Sequence, residues 1–476
     1  MDIELFLSAG KSMVIAPAGY GKTHSIAEAI AGYQGKKKVL VLTHTHAGIA
    51  SLKDKFTQNS LPSTKYHLDT ICSFALDLTK TYHINKSEIP DESDTAAMFG
   101  FAIEHASVIL RARPIKQLLS TRYDHLIVDE YQDCSLAQHK MILEMSKSIK
   151  THILGDPLQG IFGFRNEPVV DFNDASFVPF QENCQTLEIP WRWNNAGNNA
   201  LGQDLAIIRK KLMKGEDIDL RDYQSIVCIN GGEQDYAIPQ TDSRKQVFKE
   251  LSLDAVVIHP NSASIEPRKA VVRSFQQLQM IEPIDGKDYY KWAHEFDVQS
   301  GQPLIKAVAE MMRKVCSKTA ITFWIKDNGA LVKKQKKEEI AISDNLVQIV
   351  SLLSEKKSYG LVAELINAIS NLPNVIIYRK DFVRDMTRVL IDAGRMGVSA
   401  TETLIRNRNI ARRRGRKVMK KSIGTTLLTK GLEFDNVVIL NAQLFNDPRH
   451  LYVAFTRCCK RLVVIANNPV LHPYSE

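Results

Sequence analysis

The feature that most restricts the fold is an apolar run followed by a glycine-rich turn and a helix-like stretch. Met13, Val14 and Ile15 predict a buried strand, and residues 16–23 read Ala-Pro-Ala-Gly-Tyr-Gly-Lys-Thr. Gly19 and Gly21 allow the backbone to turn its N–H groups inward, where the following helix N-terminus adds positive potential. The pattern is typical of a phosphate-binding loop, with Ala16 in place of the usual first glycine. A plain glycine-rich turn is the alternative.

A second informative segment is residues 123–133, Tyr-Asp-His-Leu-Ile-Val-Asp-Glu-Tyr-Gln-Asp. Its apolar centre predicts a buried parallel strand that ends in two adjacent carboxylates, Asp129 and Glu130. One carboxylate can hold Mg²⁺ through its water shell, and the other can orient a water against a phosphate. With the upstream loop, this predicts a nucleotide site in which Lys22 meets the phosphates and Thr23 and Asp129 hold the metal. The alternative is a strand that ends in an acidic turn.

The order of strand-like and helix-like segments predicts an α/β chain with two RecA-like P-loop domains, parallel sheets and small, mostly helical insertions. Strands are expected at 39–43, 126–128, 152–154, 256–258, 436–440 and 462–466. The predicted first domain is 1–187, with a helical, polar insertion at about 75–122. The second domain is 188–280 plus 416–476, and residues 281–415 form a reduced helical accessory insertion.

Composition places the protein among soluble globular chains of more than one domain, because it has 476 residues and 44% hydrophobic residues. No apolar run approaches the roughly 20 residues that span a membrane. The first residues show no secretory signal, and the seven cysteines show no metal-binding spacing. A cytoplasmic location with reduced thiols is expected.

The net charge of +9 is concentrated in residues 406–421, which hold nine basic and no acidic residues. The rest of the chain has 53 Lys and Arg residues and 53 Asp and Glu residues, so its charges balance. Such a cluster fits either a polyanion contact or a solvated linker. A smaller basic run at 333–338 is expected to be an exposed segment.

Beyond these two segments, the motifs resemble those of superfamily 1A helicases of the UvrD/Rep type, over roughly 13–192 and 422–466. Residues 129–133 match the family's extended Walker B pattern, and residues 155–165 resemble motif III. The resemblance implies that Gln159 senses the γ-phosphate and that Phe162 and Phe164 stack on unpaired bases. Core packing is the alternative for the two rings.

Residues 190–192, 429–434 and 452–457 resemble motifs IV, V and VI. The implied catalytic residues are Lys22, Glu130, Gln159, Arg192 and Arg457, with Thr23 and Asp129 at the metal. The implied nucleotide-binding residues are Ala18, Gly19, Tyr20, Gly21, Lys22, Thr23, His24, Trp191, Lys430, Gly431 and Glu433. The implied nucleic-acid contacts are Thr45, Ser73, Phe162, Phe164, Arg165, Arg412, Arg413 and Arg414.

The resemblance implies an ATP- and Mg²⁺-dependent translocase or helicase on single-stranded or tailed DNA, moving 3′ to 5′. An alternative of a different class is a DNA-sensing ATPase subunit that controls a partner nuclease or defence protein. The short chain also resembles helicase-like subunits of bacterial anti-phage systems such as Gabija.

The sequence departs from the family pattern mainly on the nucleic-acid side. Ala47 stands where the family has a lysine, and Cys72 and Leu427 stand where it often has histidine. No glutamine occurs among the 21 residues before Lys22, so the resemblance does not extend to the family's adenine-reading residue.

Overall fold

The structure is a computed structural model that describes most of the chain. The described residues are 1–90, 95–162, 168–231, 255–260, 262–275, 277–283, 286–414, 418 and 421–474, without the side chains of residues 95, 96 and 412–414. No helix in these ranges is long and apolar enough to cross a membrane.

The first half of the chain builds a six-stranded parallel sheet in the order β3-β2-β4-β5-β1-β6. The strands are β1 (Lys11–Ile15), β2 (Lys38–Thr43), β3 (Tyr66–Thr70), β4 (Tyr123–Val128), β5 (Lys150–Gly155) and β6 (Cys184–Thr186). The four inner strands, β1, β2, β4 and β5, are mostly apolar and buried, because helices cover both faces of the sheet there.

The helices of this half are α1 (Ile3–Ser8), α2 (Lys22–Gly32), α3 (His46–Gln58), α4 (Ile71–Tyr82), α5 (Thr95–Ile109), α6 (Arg113–Arg122), α7 (Leu136–Met145) and α8 (Val178–Gln181). Four of them, α2, α3, α4 and α7, come shortly after a strand and belong to the crossover connections that parallel strands require.

The insertion expected at about 75–122 is helical, and most of its described residues are exposed or half-buried, but one face of α5 is apolar and buried. Ala102, Ile103 and Ala106 of α5 are buried in one apolar cluster with Leu40 and Val128 of the sheet. The insertion therefore covers a face of the first sheet. Its apolar residues provide the burial that stabilises this helix, at about 25 cal/mol per Å² of apolar surface removed from water.

Two helices, α9 (Trp191–Asn195) and α10 (Asn199–Lys214), lead to a second parallel sheet of six strands. Its order is β10-β11-β9-β12-β13-β8, and a separate antiparallel pair joins β7 to β14. The strands are β7 (Ile218–Asp219), β8 (Ile226–Asn230), β9 (Val256–Ile258), β10 (Gln279–Met280), β11 (Ser422–Gly424), β12 (Phe434–Ile439), β13 (Cys458–Ala466) and β14 (Val470–Leu471). The prediction of an α/β chain with two parallel sheets is confirmed.

The helices associated with the second sheet are α11 (Glu266–Ser274), α19 (Thr426–Thr429) and α20 (Pro448–Phe455). The chain between β10 and β11 forms a helical domain of α12 (Lys287–Val298), α13 (Gly301–Val315), α14 (Lys318–Thr322), α15 (Lys337–Glu355), α16 (Tyr359–Ser370), α17 (Lys380–Met396) and α18 (Ala400–Arg414).

The helical domain has an apolar core of its own, which contains residues such as Trp292, Met312 and Phe382. A buried ion pair joins it to the second sheet, because the Arg379 guanidinium donates to Glu282 at 2.8 and 2.5 Å. On its other side, α18 lies against α3 of the first half.

The basic run at 406–421 begins inside α18, so its first nine residues are helical and do not form a solvated linker. Arg408 is buried, with its guanidinium 3.8 Å from the centre of the Tyr289 ring. The domain limits given above stay a prediction.

Candidate functional site

The phosphate-binding loop connects the carboxyl end of β1 to the first residue of α2. Gly19 and Gly21 have φ values of +77° and +85°, in the left-handed region that favours glycine. No side chain caps α2 at Gly21, so no side chain occupies the N–H groups of its first turn. A Cβ on Gly19 would lie 2.8 Å from Cβ of Arg192, and one on Gly21 would lie 3.0 Å from Trp191. Backbone conformation and crowding both require glycine here.

Lys22, at the start of α2, lies between the two carboxylates that follow β4. Its Nζ is 2.9 Å from Oδ1 of Asp129 and 2.5 Å from Oε1 of Glu130. They meet because β5 alone separates β1 from β4 in the sheet, so both strand ends reach one edge. Glu130 has a φ of +54°, which turns its side chain out of the strand direction.

Charge and burial set the protonation of this cluster. Burial alone would raise the pKa of Glu130, but the cations Lys22 and Lys430 outweigh it and lower that pKa to about 2. Burial raises the pKa of Asp129, and Lys22 opposes the shift. Burial would lower the pKa of Lys22, yet the two carboxylates hold it above its usual value. Lys22 and Glu130 are therefore charged at neutral pH.

Gln159 lies directly beside this cluster, in the short helical turn after β5. It is 9% exposed, and its Nε2 donates to Oδ2 of Asp156 at 3.1 Å. Oδ1 of the fully buried Asp156 accepts from Arg209 of α10 at 2.8 Å. Arg209 thus fixes the carboxylate that holds Gln159. No motif pointed to Arg209, although it follows Leu205 by four residues on the buried face of α10.

Arg192 connects the phosphate loop with the second sheet. Its backbone N–H donates to the Gly19 carbonyl at 3.0 Å, and its Nη2 lies 2.5 Å from Glu433. Its Nη1 donates to the carbonyl of Thr456. Nε of Arg192 is buried beside Gly19 and has no partner among the described residues. A buried, unpartnered cationic N–H next to a phosphate-type loop suits an anionic ligand.

Lys430 brings a second cation from the other half of the chain. Its Nζ lies 2.6 Å from both carboxylate oxygens of Asp133 and 2.6 Å from the carbonyl oxygen of Gln159. The adjacent Gly431 has a φ of +79°, which a larger side chain would strain. The side chains of Lys430 and Asp133 are 7% and 3% exposed, so this ion pair between the two halves is almost excluded from water.

Arg457 is 2% exposed at the end of α20. Its guanidinium donates to the carbonyls of Val453 and Leu432 at 3.0 Å each and to the Thr456 hydroxyl at 3.1 Å. Burial, together with the neighbouring Arg192, lowers its pKa to about 10. The described geometry therefore places both motif arginines together, with Arg192 against the phosphate loop.

Known proteins share parts of this sequence. Residues 3–165 match the family model AAA_19, an AAA domain. The chain is 27% identical over 182 residues to an ATP-dependent helicase/nuclease subunit of Streptococcus mutans serotype c, covering 38% of this chain and 13% of that protein. It is 34% identical over 93 residues to exonuclease/helicase subunit RexA of Lactococcus lactis subsp. cremoris, covering 19% and 7%.

The chain also matches Gabija protein GajB of Bacillus cereus, with 23% identity over 393 residues, 78% of this chain and 69% of that protein. The AAA_19 match spans the segment that contains the phosphate loop and the acidic strand end. These matches to helicase subunits support the resemblance to UvrD/Rep-like helicases of superfamily 1. The crystal structure of Pif1 helicase from Candida albicans aligns over 98% of this chain and 92% of that chain, with 13% identity and a TM-score of 0.41.

The chain spans only a small part of the first two relatives, so their activities as whole proteins are not assigned to it. The matched segments span only 13% and 7% of the first two relatives, although they span 69% of GajB.

The remaining nucleotide-binding predictions fall on or beside the same loop. Ala18 and Tyr20 are buried, and the Tyr20 ring meets Trp193 edge-on at 6.4 Å. His24 lies in the first turn of α2, 3.3 Å from Glu28, and its Nδ1 has no partner among the described residues. Trp191 is 46% exposed over Gly21, where an aromatic face is open to a flat ligand.

The nucleic-acid predictions are less complete. Thr45 and Ser73 follow the neighbouring strands β2 and β3, so they lie at one sheet edge. Thr45 is exposed and caps α3, whereas Ser73 donates its backbone N–H to Thr70. Phe162 is partly buried, with Nζ of Lys430 lying 4.4 Å from its ring centre. Phe164 and Arg165, and the side chains of Arg412, Arg413 and Arg414, lie outside the described residues.

Proposed function

We propose that the protein is an ATP-driven translocase or helicase that moves along single-stranded DNA from 3′ to 5′. One observation carries the proposal. Lys22 pairs with Asp129 and Glu130 in the first half, Lys430 of the second half pairs with Asp133 of the first, and Arg192 contacts both the phosphate loop and Glu433. Cations from two separate sheets converge where a nucleoside triphosphate would place its phosphates.

The residues present fit ATP and magnesium. Hydroxyl and carboxylate oxygens, such as those of Thr23 and Asp129, are the hard ligands that Mg²⁺ prefers. The uncapped N–H groups of α2 and the unpartnered Nε of Arg192 would contact phosphate oxygens. Bound Mg²⁺ would supply charge neutralisation on the phosphates. On this proposal Gln159 contacts the terminal phosphate, Trp191 stacks on the base, and Glu433 and Gly431 lie toward the ribose.

The proposed mechanism uses the charges already present in the cleft. Lys22 exchanges its carboxylate partners for phosphate oxygens, which frees Glu130 to accept a proton from the attacking water. In the nucleotide-free protein Lys22 and Lys430 lower the pKa of Glu130, so its carboxylate is ionised at neutral pH before ATP binds. Arg192 and Arg457 stabilise charge on the terminal phosphate and draw the two sheets together. Loss of that phosphate removes their shared partner, and the cleft reopens.

We also propose the division into a first domain at 1–187, a second at 188–280 and 416–476, and an accessory domain at 281–415. In this arrangement a DNA strand lying across both sheets is gripped by each in turn and advances with every cycle. A cytoplasmic location suits such a function.

ATPase measurements with Lys22→Ala and Glu130→Gln test the site. Both variants should lose turnover by at least 100-fold, because each removes a group that acts on the transferring phosphate. Glu130→Gln should still bind ATP, since Lys22 and the loop N–H groups remain. Lys140→Ala, an exposed change on α7, serves as the control. A Glu130→Gln enzyme with wild-type turnover would contradict the proposed role.

Strand separation on tailed duplexes tests the motor. Single-stranded DNA should raise the ATPase rate, and duplexes with a 3′ tail should be opened in preference to those with a 5′ tail. Equal ATPase rates with and without DNA would rule out a motor.

The similarity to GajB favours one second candidate. It extends over 78% of this chain, unlike the shorter matches to the helicase/nuclease subunits. A DNA-sensing ATPase subunit of a defence complex would hydrolyse ATP when it binds DNA but would have little unwinding activity. DNA-stimulated hydrolysis without strand opening on either tail would favour this candidate, with a nuclease or defence protein as its partner.

A further inference from the structure

A second basic segment, separate in sequence from the run at 406–421, lies on the helical domain. Residues 313–337 contain eight Lys and Arg residues and a single acidic residue, Asp327. We call the Phe323 surface the part formed by Phe323, Lys318, Lys326 and residues 333–337. Sequence alone suggested no more than an exposed segment at 333–338.

A tight turn brings the two parts of this surface together. Ile325 and Leu331 form an antiparallel bridge, and the Lys326 N–H donates to Ala330 at 2.8 Å. The chain therefore reverses, and residues 333–337 return beside Phe323. Lys334 Nζ donates to the Phe323 carbonyl at 2.7 Å and lies 3.1 Å from the centre of the Phe323 ring. The aromatic ring and the lysine run thus form one structural unit.

The charges of this surface are largely uncompensated. Lys318, Lys326, Lys333 and Lys337 are exposed, and no carboxylate of the described residues lies within 4.0 Å of their Nζ atoms. Lys336 has only a distant partner, Glu339, at 3.9 Å. Gathering like charges without partners costs free energy, which a polyanion would recover.

Phe323 adds a second feature, because its ring is 54% exposed although it is large and apolar. A nucleic-acid strand offers phosphates to the lysines and a base π face to the ring at the same time. An acidic protein segment would match the lysines alone.

We propose that the Phe323 surface is a DNA-binding site, in which the lysines contact phosphates and Phe323 stacks on an exposed base. The proposal rests on the proposed function in one respect, that DNA is the polymer on which the protein acts. It adds a contact on the helical domain, separate from the edge at Thr45 and Ser73.

The salt dependence of DNA binding tests the lysines. Affinity for a fluorescent tailed duplex would be measured from 50 to 300 mM salt for full-length Lys333→Gln/Lys337→Gln. Each phosphate contact contributes about 0.7–0.9 to the slope of log K against log salt, so loss of two contacts should reduce the slope by about 1.4–1.8. Lys333→Arg/Lys337→Arg should restore it.

The matched control is Lys140→Gln/Lys356→Gln, which removes two exposed charges elsewhere. Lys356 lies at the far end of α15, about 28 Å from Lys337 at 1.5 Å per residue. The salt slope of this control variant should equal that of the wild type. Equal slopes for both double variants would overturn the lysine contacts and point to a protein partner for this surface.

Phe323→Leu tests stacking separately, because leucine keeps an apolar side chain and removes the π face. Affinity for DNA should fall between about 5-fold and 150-fold at constant salt, with the salt slope unchanged. Wild-type affinity would overturn the stacking contact. If DNA does not stimulate the ATPase of the wild-type protein, the proposed motor is wrong. The comparison of salt slopes would still decide whether the Phe323 surface binds DNA.

Discussion

At the scale of single residues, Arg209 controls more of the site than its place outside every motif suggests. It is the cation that holds the fully buried Asp156, and Asp156 in turn holds the Gln159 amide. A buried carboxylate that loses its cationic partner is costly, on the order of 3–5 kcal/mol. The carboxylate would therefore move, and Gln159 would lose its fixed orientation.

We expect Arg209→Met to lower kcat for ATP at least tenfold while KM changes little. The reason is that Gln159 is misplaced while the phosphate loop stays intact. Steady-state ATPase kinetics check this split between kcat and KM. Arg209→Lys, which keeps a cation beside Asp156, should recover much of the rate, and Lys210→Met should behave as wild type. A fall confined to KM would show that Arg209 does not act through Gln159.

The residues of the phosphate loop and the acidic strand end could be predicted because each motif is local in sequence. Their meeting also follows from the sequence, since parallel strands carry their carboxyl ends to one edge. The Arg209–Asp156 pair could not be predicted, because 53 residues separate the partners and only α10 packing aligns them. The burial of Arg408 could not be predicted for a similar reason, since its stacking partner Tyr289 is remote in sequence.

At the scale of elements, three neighbouring strands of the first sheet, β4, β5 and β1, share a buried chain of polar groups. His125 Nδ1 lies 2.9 Å from His152 Nε2, and His152 Nδ1 lies 2.8 Å from the Ser12 hydroxyl. Burial, with a smaller contribution from Lys150, lowers the pKa of His125 to about 4. Burial also holds the pKa of His152 well below its usual value. Both rings are neutral in the folded sheet.

We therefore expect stability to fall as the pH drops below about 6.5, the pKa of histidine in an unfolded chain. Below that pH the histidines of the unfolded state bind protons, whereas those of the folded state stay neutral. The free energy of unfolding therefore falls, by about 2 kcal/mol at pH 5 for His125 alone. The midpoint of thermal unfolding, measured from pH 8 to pH 5, checks this. His125→Asn should flatten the profile, whereas the exposed His294→Gln should leave it unchanged. A flat wild-type profile would contradict the assignment.

Seven of the fourteen described strands, β1, β2, β4, β5, β9, β12 and β13, were predicted, because they are apolar runs in sheets covered on both faces. The buried face of α5 was not predicted, because the segment 75–122 is polar as a whole. The two-residue strands β7, β10 and β14 carry too little pattern to detect, and only their pairing partners define them.

At the scale of the whole molecule, the two sheets are joined by more than the connecting helices. One continuous apolar cluster runs from Val14 and Leu158 through Trp193 to Leu451 and Val464. The Lys430–Asp133 pair lies across the same junction, nearly excluded from water. Burial raises the pKa of Asp133 to about 7, against the effect of Lys430, and the same burial lowers the pKa of Lys430. Each charge therefore depends on the other.

Removing that cation should loosen the junction in the nucleotide-free protein. Lys430→Met leaves the Asp133 carboxylate buried without a partner, at a cost of about 3 kcal/mol, which corresponds to a shift of about 100-fold in the balance between closed and open forms. Fluorophores on the exposed Cys184 and Cys228, one on each sheet, would report the change by energy transfer.

Lys460→Met, which removes an exposed pair with Asp435 inside the second sheet, is the control. Asp133→Asn/Lys430→Met should recover part of the closed population, because no unpaired carboxylate remains. Identical energy-transfer distributions for Lys430→Met and the wild type would mean that the apolar cluster alone holds the two halves together.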